Sequence, residues 1–371
     1  MRVKALQHKL EERGEAAALI TSPENIRYLT GFFTWNAHVP FALAIVPARG
    51  EPVLLVPRAD DLLAHAVARC SLEPYDPGTA GFRTTAEACR RVLERAGIRE
   101  GGLAIESGAL SFDRVRVLQD ALSRYRFADG TDALADLRMI KDSQEQEWLR
   151  QAAELAASAM AQTVSRVRPG VSELEVKATM DFAAHTVGAR RWPTAVVQCQ
   201  TNVVSGPKLN RLHDAATGRT VGPGEVLFIL SDLSVHGYRA NIGRTLFVPG
   251  GTPPDDARRT LEFATTAQRA AIRHLHPGNP LREAVQAADD VLAEAGLAGR
   301  RTYPIVRGLG LRTDERPKAA DATDLDRPLE YGMCMCVQLY IRQPDRIVGR
   351  SDTVLVTEKG AEVISEPAGE P

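Results

Sequence analysis

A change of rhythm near residues 126–142 restricts the fold of this 371-residue chain more than any other feature. Beyond it, long amphipathic helix patterns come in pairs, at 144–167 and 172–187 and again at 254–275 and 281–295. Strand patterns separate them, at 195–200, 226–248, 333–341 and 354–356. Pairs of strands between pairs of helices predict an antiparallel sheet with helices on one face, an α+β layout.

The residues before the change alternate differently. Helix patterns at 4–13, 23–29, 60–69, 84–96 and 111–122 interleave with strand patterns at 16–20 and 103–105 and a hairpin, 41–46 with 52–56, around Arg49-Gly50. That is α/β alternation of about one domain. The division expected is an N-terminal α/β domain over 1–130, a charge-rich linker over 131–142, and the α+β domain over 143–371. Ser143, with Glu147 behind it, is the expected cap of the first long helix.

Composition removes several classes. Formal net charge is −1, which leaves no electrostatic footprint for a nucleic acid. No apolar run approaches the roughly 18–20 residues of a membrane span. The start, MRVKALQHKLEERG, is amphipathic and lacks a signal-peptide apolar stretch. Five cysteines are an odd number, and Cys334-x-Cys336 is too close for finger spacing, so a reduced, cytoplasmic protein is expected.

One hairpin carries unusual polarity. In FILSDLSVHGYRANIGRTLFV, residues 228–248, an apolar strand meets a His236-Gly237 turn, and the return strand carries Asn241, Arg244 and Thr245. Polar residues crowded on one hairpin mark either a solvated face or a lined pocket.

Several segments resemble, in chain order, the pita-bread family of aminopeptidase P, prolidase, methionine aminopeptidase and creatinase. They are NIRYLTGFF (25–33), LRMIKDSQEQEWLRQAA (137–153), SGPKLNRLH (205–213), the hairpin, LEYGMCMCVQLYI (329–341) and GRSDTVLVTEKGAEVIS (349–365). The resemblance implies an α/β N-terminal creatinase-like domain followed by an α+β pita-bread C-terminal domain. It also implies a site where the family's metallopeptidases hold two divalent ions with two Asp, one His and two Glu. Carried over by position, those ligands fall on Leu230, Asn241, Arg307, Gln338 and Ser351. Neutral amides are weak ligands for hard cations, and a guanidinium stays protonated and repels them. The expectation is therefore no metal and no cofactor, unless Asp232, Asp314 and Asp352 form a different cage.

The resemblance places His213 where the family has its substrate-side histidine, similar to the base of metal-free creatinase. An imidazole titrates near neutral pH, as a base should. His213 and Tyr238 are the expected catalytic residues. Asn241, Arg244, Arg307, Gln338 and Ser351 are expected to bind substrate, with Arg307 gripping an anionic group and balanced by Asp232, Asp314, Glu315 or that anion. Arg244 could instead be a structural ion pair, Tyr238 could pack in the sheet, and Arg307 could pair with Asp314. His236 is expected to be a solvated turn residue, and His274 to cap a helix. Trp35 and His38, in TWNAHVP, resemble the lid that two-domain relatives extend to a partner's pocket, which implies a homodimer. The expected function is metal-independent C–N bond hydrolysis of a small, carboxylate-bearing, amino-acid-like molecule. The alternatives are a lyase, dehydratase or cyclase step on such a molecule, and a non-catalytic binding protein.

Overall fold

The computed structural model describes residues 2–33, 42–78 and 81–366. The chain divides into two compact units, Met1–Leu137 and Arg138–Pro371.

The first unit runs α1 (Arg2–Glu12), β1 (Glu15–Ile20), α2 (Pro23–Thr30), β2 (Leu43–Pro47), β3 (Val53–Pro57), α3 (Asp61–Val67), β4 (Ser71–Tyr75), α4 (Phe82–Arg95), β5 (Gly101–Ile105), α5 (Phe112–Ala121), β6 (Tyr125–Asp129) and α6 (Thr131–Met139). Its six strands form a mixed sheet in the order β4-β3-β2-β1-β5-β6. Leu19, Ile45 and Leu103 from the sheet and Cys89, Leu93 and Leu118 from the helices share one buried core. Glu106, just after β5, is buried and accepts from the backbone N–H of Thr21 and Ser22 and from Asn25 Nδ2, which fixes the start of α2. Most of the expected linker is a helix: α6 occupies 131–139, although its charged composition reads as a connector.

The second unit opens with α7 (Ser143–Val164) and α8 (Glu173–Arg191), then β7 (Val197–Ser205), β8 (Val226–Val235) and β9 (Tyr238–Phe247). A second helix pair follows, α9 (Asp255–Arg273) and α10 (Leu281–Glu294). The chain closes with β10 (Val306–Gly308), β11 (Glu315–Lys318), a short α11 (Ala322–Leu325), β12 (Cys334–Arg342), β13 (Ile347–Thr357) and β14 (Gly360–Val363). Asp142, not Ser143, caps α7, in a reciprocal capping box with Glu145. The last long strand spans 347–357, well beyond the expected 354–356.

Seven strands follow the order β11-β10-β12-β13-β9-β8-β7, β14 pairs with β13, and every pairing is antiparallel. Alternation along the strands separates two faces. Leu227, Ile229, Leu233, Val235, Ala240 and Ile242 pack with α7 and α8, and Met335, Val337, Leu339 and Ile341 pack with α9 and α10. The residues between them face the other way, toward a cavity. The β8–β9 turn is tight, with His236 at φ 51° and Gly237 at φ 84°, a two-residue hairpin connection. No helix among the described residues is long and apolar enough to cross a membrane.

Candidate active site

The cavity holds about 930 Å³, bounded by β7–β9, β10, β12 and the loops at 213–215 and 303–320. His213, Leu230, Asp232, Asn241, Arg307, Gln338 and Tyr340 line it. Four of the five positions at which the resemblance puts metal ligands therefore face one space. Ser351 is the fifth. It is fully buried behind Asn241 and donates its hydroxyl to Asn241 Oδ1 at 2.6 Å, so it supports the lining rather than contacting a ligand.

Asn241 organises the floor. Its Oδ1 also accepts from the Cys336 thiol at 3.3 Å, and its Nδ2 donates to Asp232 Oδ1 at 2.8 Å. Burial pushes the Cys336 thiol up to about 11, against the pull of Arg307, so it is neutral and able to donate. Asp232 sits opposite Asn241 in the β8–β9 ladder. Desolvation raises the pKa of Asp232; Asn241, Arg307 and Arg239 pull the other way without cancelling it.

Arg307 stands on β10 across from Cys336 and donates to the Thr313 carbonyl. Its pKa is raised above the ordinary guanidinium value: coupling to Cys336, Asp232, Tyr340 and Asp314 outweighs desolvation, and with the thiol and the phenol neutral the negative charge comes from Asp232 and Asp314. It does not take Asp314 as its ion-pair partner, because Asp314 binds Lys318 at 2.7 Å. Glu315 is not its partner either: it is buried against Arg138 and Lys141. Of the expected counter-charges, Asp232 is the one that shares the cavity without an ion pair of its own. Gln338 donates from Nε2 to the Pro304 carbonyl at 2.9 Å rather than to Asn241.

His213 lies on the loop after a short 3-10 turn, Gly206–Asn210, exposed to the cavity with its ring centroid 5.6 Å from that of Tyr303. Asn202 Nδ2 donates to the Leu212 carbonyl at 2.8 Å and fixes the loop beside the imidazole. Glu173, at the start of α8, holds both ends of the segment. It accepts from the N–H and hydroxyl of Ser205, at 3.0 and 2.7 Å, from the N–H and hydroxyl of Thr217, at 2.9 and 3.1 Å, and from Lys208. Burial opposes its ionisation, but these bonds outweigh it and hold the carboxyl below its ordinary range.

Two expected site residues lie on the wrong face. Tyr238 is fully buried toward α7, with its hydroxyl on Glu145 at 2.9 Å and its ring 5.1 Å from that of Trp148. Arg244 is buried and bonds the Ser351 carbonyl at 2.9 Å and Asp352 at 2.8 Å. Alternation is the reason: Asn241 points into the cavity, so positions three before and three after it point to the helices. Asp352 shares that helix side, held by Arg244, Arg350, Gln268 and Ser365. Asp232, Asp314 and Asp352 consequently form no cage, and no cluster of three or more His, Cys, Asp or Glu suited to a metal occurs among the described residues. Trp35 and His38 lie outside the described residues. His236 rests against Trp148 at 5.6 Å, half-buried rather than free in solvent, and His274 caps the end of α9.

Two features of the lining escaped sequence reasoning. Tyr340 projects into the space, and Gly243 makes room for it: a Cβ at 243 would lie 2.9 Å from Tyr340 Oη and 2.6 Å from Ser351 Oγ. Leu230, opposite Gly243 in the ladder, closes the same corner with apolar surface.

Residues 147–358 match metallopeptidase family M24, and residues 2–140 match the creatinase/prolidase N-terminal domain. The chain belongs to the M24 family, and its second unit has that family's pita-bread fold. It is 28% identical over 345 residues to a Xaa-Pro dipeptidase of Lactobacillus delbrueckii subsp. lactis, covering 91% of this chain and 89% of that one. It is 27% identical over 368 residues to an uncharacterized peptidase of Staphylococcus saprophyticus, covering 98% and 99%. The prolidase structure from Pyrococcus horikoshii OT3 superposes with a TM-score of 0.86 at 22% identity, covering 100% of this chain and 99% of that one. The family implies divalent metal, and the donor set here does not fit it. Two carboxylates, one of them paired with Lys318, one imidazole, the amides of Gln200, Asn202, Asn241 and Gln338, and a leucine share the space with a fixed guanidinium, and a divalent cation would meet that positive charge in a confined space.

Proposed function

We propose that this chain is a metal-independent enzyme of the M24 family acting on a small, carboxylate-bearing, amino-acid-like molecule. The observation that carries the reading is Arg307: a cation on the cavity wall, with no direct ion pair to any carboxylate among the described residues, where the family's pattern calls for a metal ligand. Its guanidinium takes a carboxylate in a two-pronged grip. Gln338 and Asn241 offer amide contacts beside it.

In the preferred reaction His213 takes a proton from water as the water oxygen bonds to the carbon of a C–N bond. The C–N bond then breaks, and the proton passes to the departing nitrogen. A lyase, dehydratase or cyclase step uses the same base without the water. A binding-only role has one observation in its favour: His213 has no hydrogen-bond partner among the described residues to orient its ring. Five free cysteines agree with a reducing, cytoplasmic setting, and a homodimer completed by the region of Trp35 and His38 belongs to the same reading.

Elemental analysis of protein purified without chelator tests the metal question. Well under one divalent ion per chain is expected; a stoichiometric ion whose removal abolishes activity would overturn the reading. With a substrate in hand, His213→Ala should lower turnover by ~10²–10⁴-fold, the range for a lost general base. Unchanged turnover would move the assignment to binding alone.

A further inference from the structure

Apart from the phenols of Tyr303 and Tyr340, five groups of formal or titratable charge line the cavity: His213, Asp232, Arg307, Asp314 and Lys318. Asp314 and Lys318 pair with each other at 2.7 Å. That leaves His213, Asp232 and Arg307, of which Asp232 and Arg307 are opposite in sign and electrostatically coupled, yet without a direct ion pair between them. Arg239 also acts on Asp232, but it is not part of the lining, and its Nε is aimed at the Leu311 carbonyl.

The carboxylate of Asp232 is half used. Its Oδ1 takes the Asn241 amide at 2.8 Å, and Oδ2 has no hydrogen-bond partner among the described residues. The amide cannot turn to offer anything different, because Ser351 and Cys336 both donate to its oxygen. Asp232 is thus fixed at Oδ1, carries a free oxygen, and is desolvated enough that its acidity falls. A desolvated carboxylate with a free oxygen is relieved by a cationic N–H donor.

We infer that Asp232 is a cation subsite facing Arg307, so that the cavity selects molecules carrying an ammonium or amidinium group at one end and a carboxylate at the other. The inference rests on the reading of Arg307 as an anion anchor. It adds a second, opposite requirement, assigned to a residue outside the positions matched to the family's ligands. A dianion would meet Asp232, and a simple amine would meet Arg307; only a molecule with both signs satisfies both walls.

Thermal melting with defined probes separates the two claims. The probes are propionate, propylamine, and the ω-amino acids glycine, β-alanine and 4-aminobutyrate, with 4-guanidinobutyrate as the guanidinium relative of the amidinium form. In the wild type, at least one of the two-charge probes should raise the melting temperature beyond propionate and propylamine combined. Asp232→Asn should keep the propionate response and bind the best two-charge probe ~10-fold or more weakly, as for a lost charged hydrogen bond. Arg307→Gln should lose the propionate response; if it does not fold, Arg307→Lys, which keeps charge without the fork, replaces it. Propionate active but no two-charge probe better would overturn the cation subsite and leave the anion anchor standing. No response to any carboxylate would overturn both.

Discussion

Ser351 Oγ donates to Asn241 Oδ1 at 2.6 Å, and that bond fixes which way the amide points into the cavity. With its oxygen occupied from behind, Asn241 can present only its NH₂ group to Asp232. Asn241→Asp removes that donor and sets two carboxylates face to face across the β8–β9 ladder. Like charges at this range raise each other's pKa. The variant should be about 1–3 kcal/mol less stable than wild type at pH 7, with the gap closing as both acids protonate toward pH ~4. Urea melts at the two pH values measure it. An equal deficit at both would mean that the loss is steric.

Asp232 itself should weaken the fold at neutral pH. Its folded pKa is raised above the unfolded value of about 3.9. The stability linked to its protonation is complete below that value and lost as pH rises through the folded pKa. Asp232→Asn should therefore melt higher than wild type at pH 7, with the advantage vanishing at pH ~3.5. A lower melting temperature at pH 7 would show that Asp232 is needed more as a counter-charge to Arg307 than it costs by its desolvation.

Gly243 leaves the room that the Tyr340 hydroxyl occupies. A Cβ at 243 meets Ser351 Oγ at 2.6 Å and Tyr340 Oη at 2.9 Å, both closer than van der Waals contact. Gly243→Ala should cost about 1–3 kcal/mol, the range for overpacking. Adding Tyr340→Phe and Ser351→Ala should return part of that loss, which a double- and triple-variant cycle would detect. Additive losses would place the strain elsewhere.

The sequence carried more of this than a first reading extracts. The helix-pair and strand-pair rhythm was enough for the antiparallel sheet, because periods of 3.6 and 2 cannot be exchanged. The same period of 2 excludes Tyr238 and Arg244 from a cavity that contains Asn241, since a separation of three crosses the sheet. The cap of α7 was legible too: Asp142 and Glu145 have the three-residue spacing of a capping box, and Ser143 with Glu147 does not. Helix α6 was hidden because a charged surface helix and a charged linker share a composition. The bonds from Glu173 to Ser205 and Thr217, 32 and 44 residues away, leave no local trace, so nothing in the sequence marks what holds His213 in place.

Glu173 is the place to test that hold. It is fully buried, it pairs with Lys208, and it ties the two ends of the segment that carries His213. Its folded pKa is depressed, so its contribution is present above the unfolded value of about 4.3 and is lost as pH falls through the folded pKa. Glu173→Gln keeps the shape, removes the charge and leaves Lys208 without its carboxylate partner. It should cost about 3–5 kcal/mol at neutral pH, as for breaking a buried pair, and less in acid, where wild type loses the same charge. Local release should accompany it, because Lys208 and Arg211 are tryptic sites on the released segment. Cleavage there should quicken at temperatures where both proteins remain folded. A variant with wild-type cleavage and a flat stability difference from pH 4 to 8 would show that Asn202 and the surrounding packing hold the His213 loop by themselves.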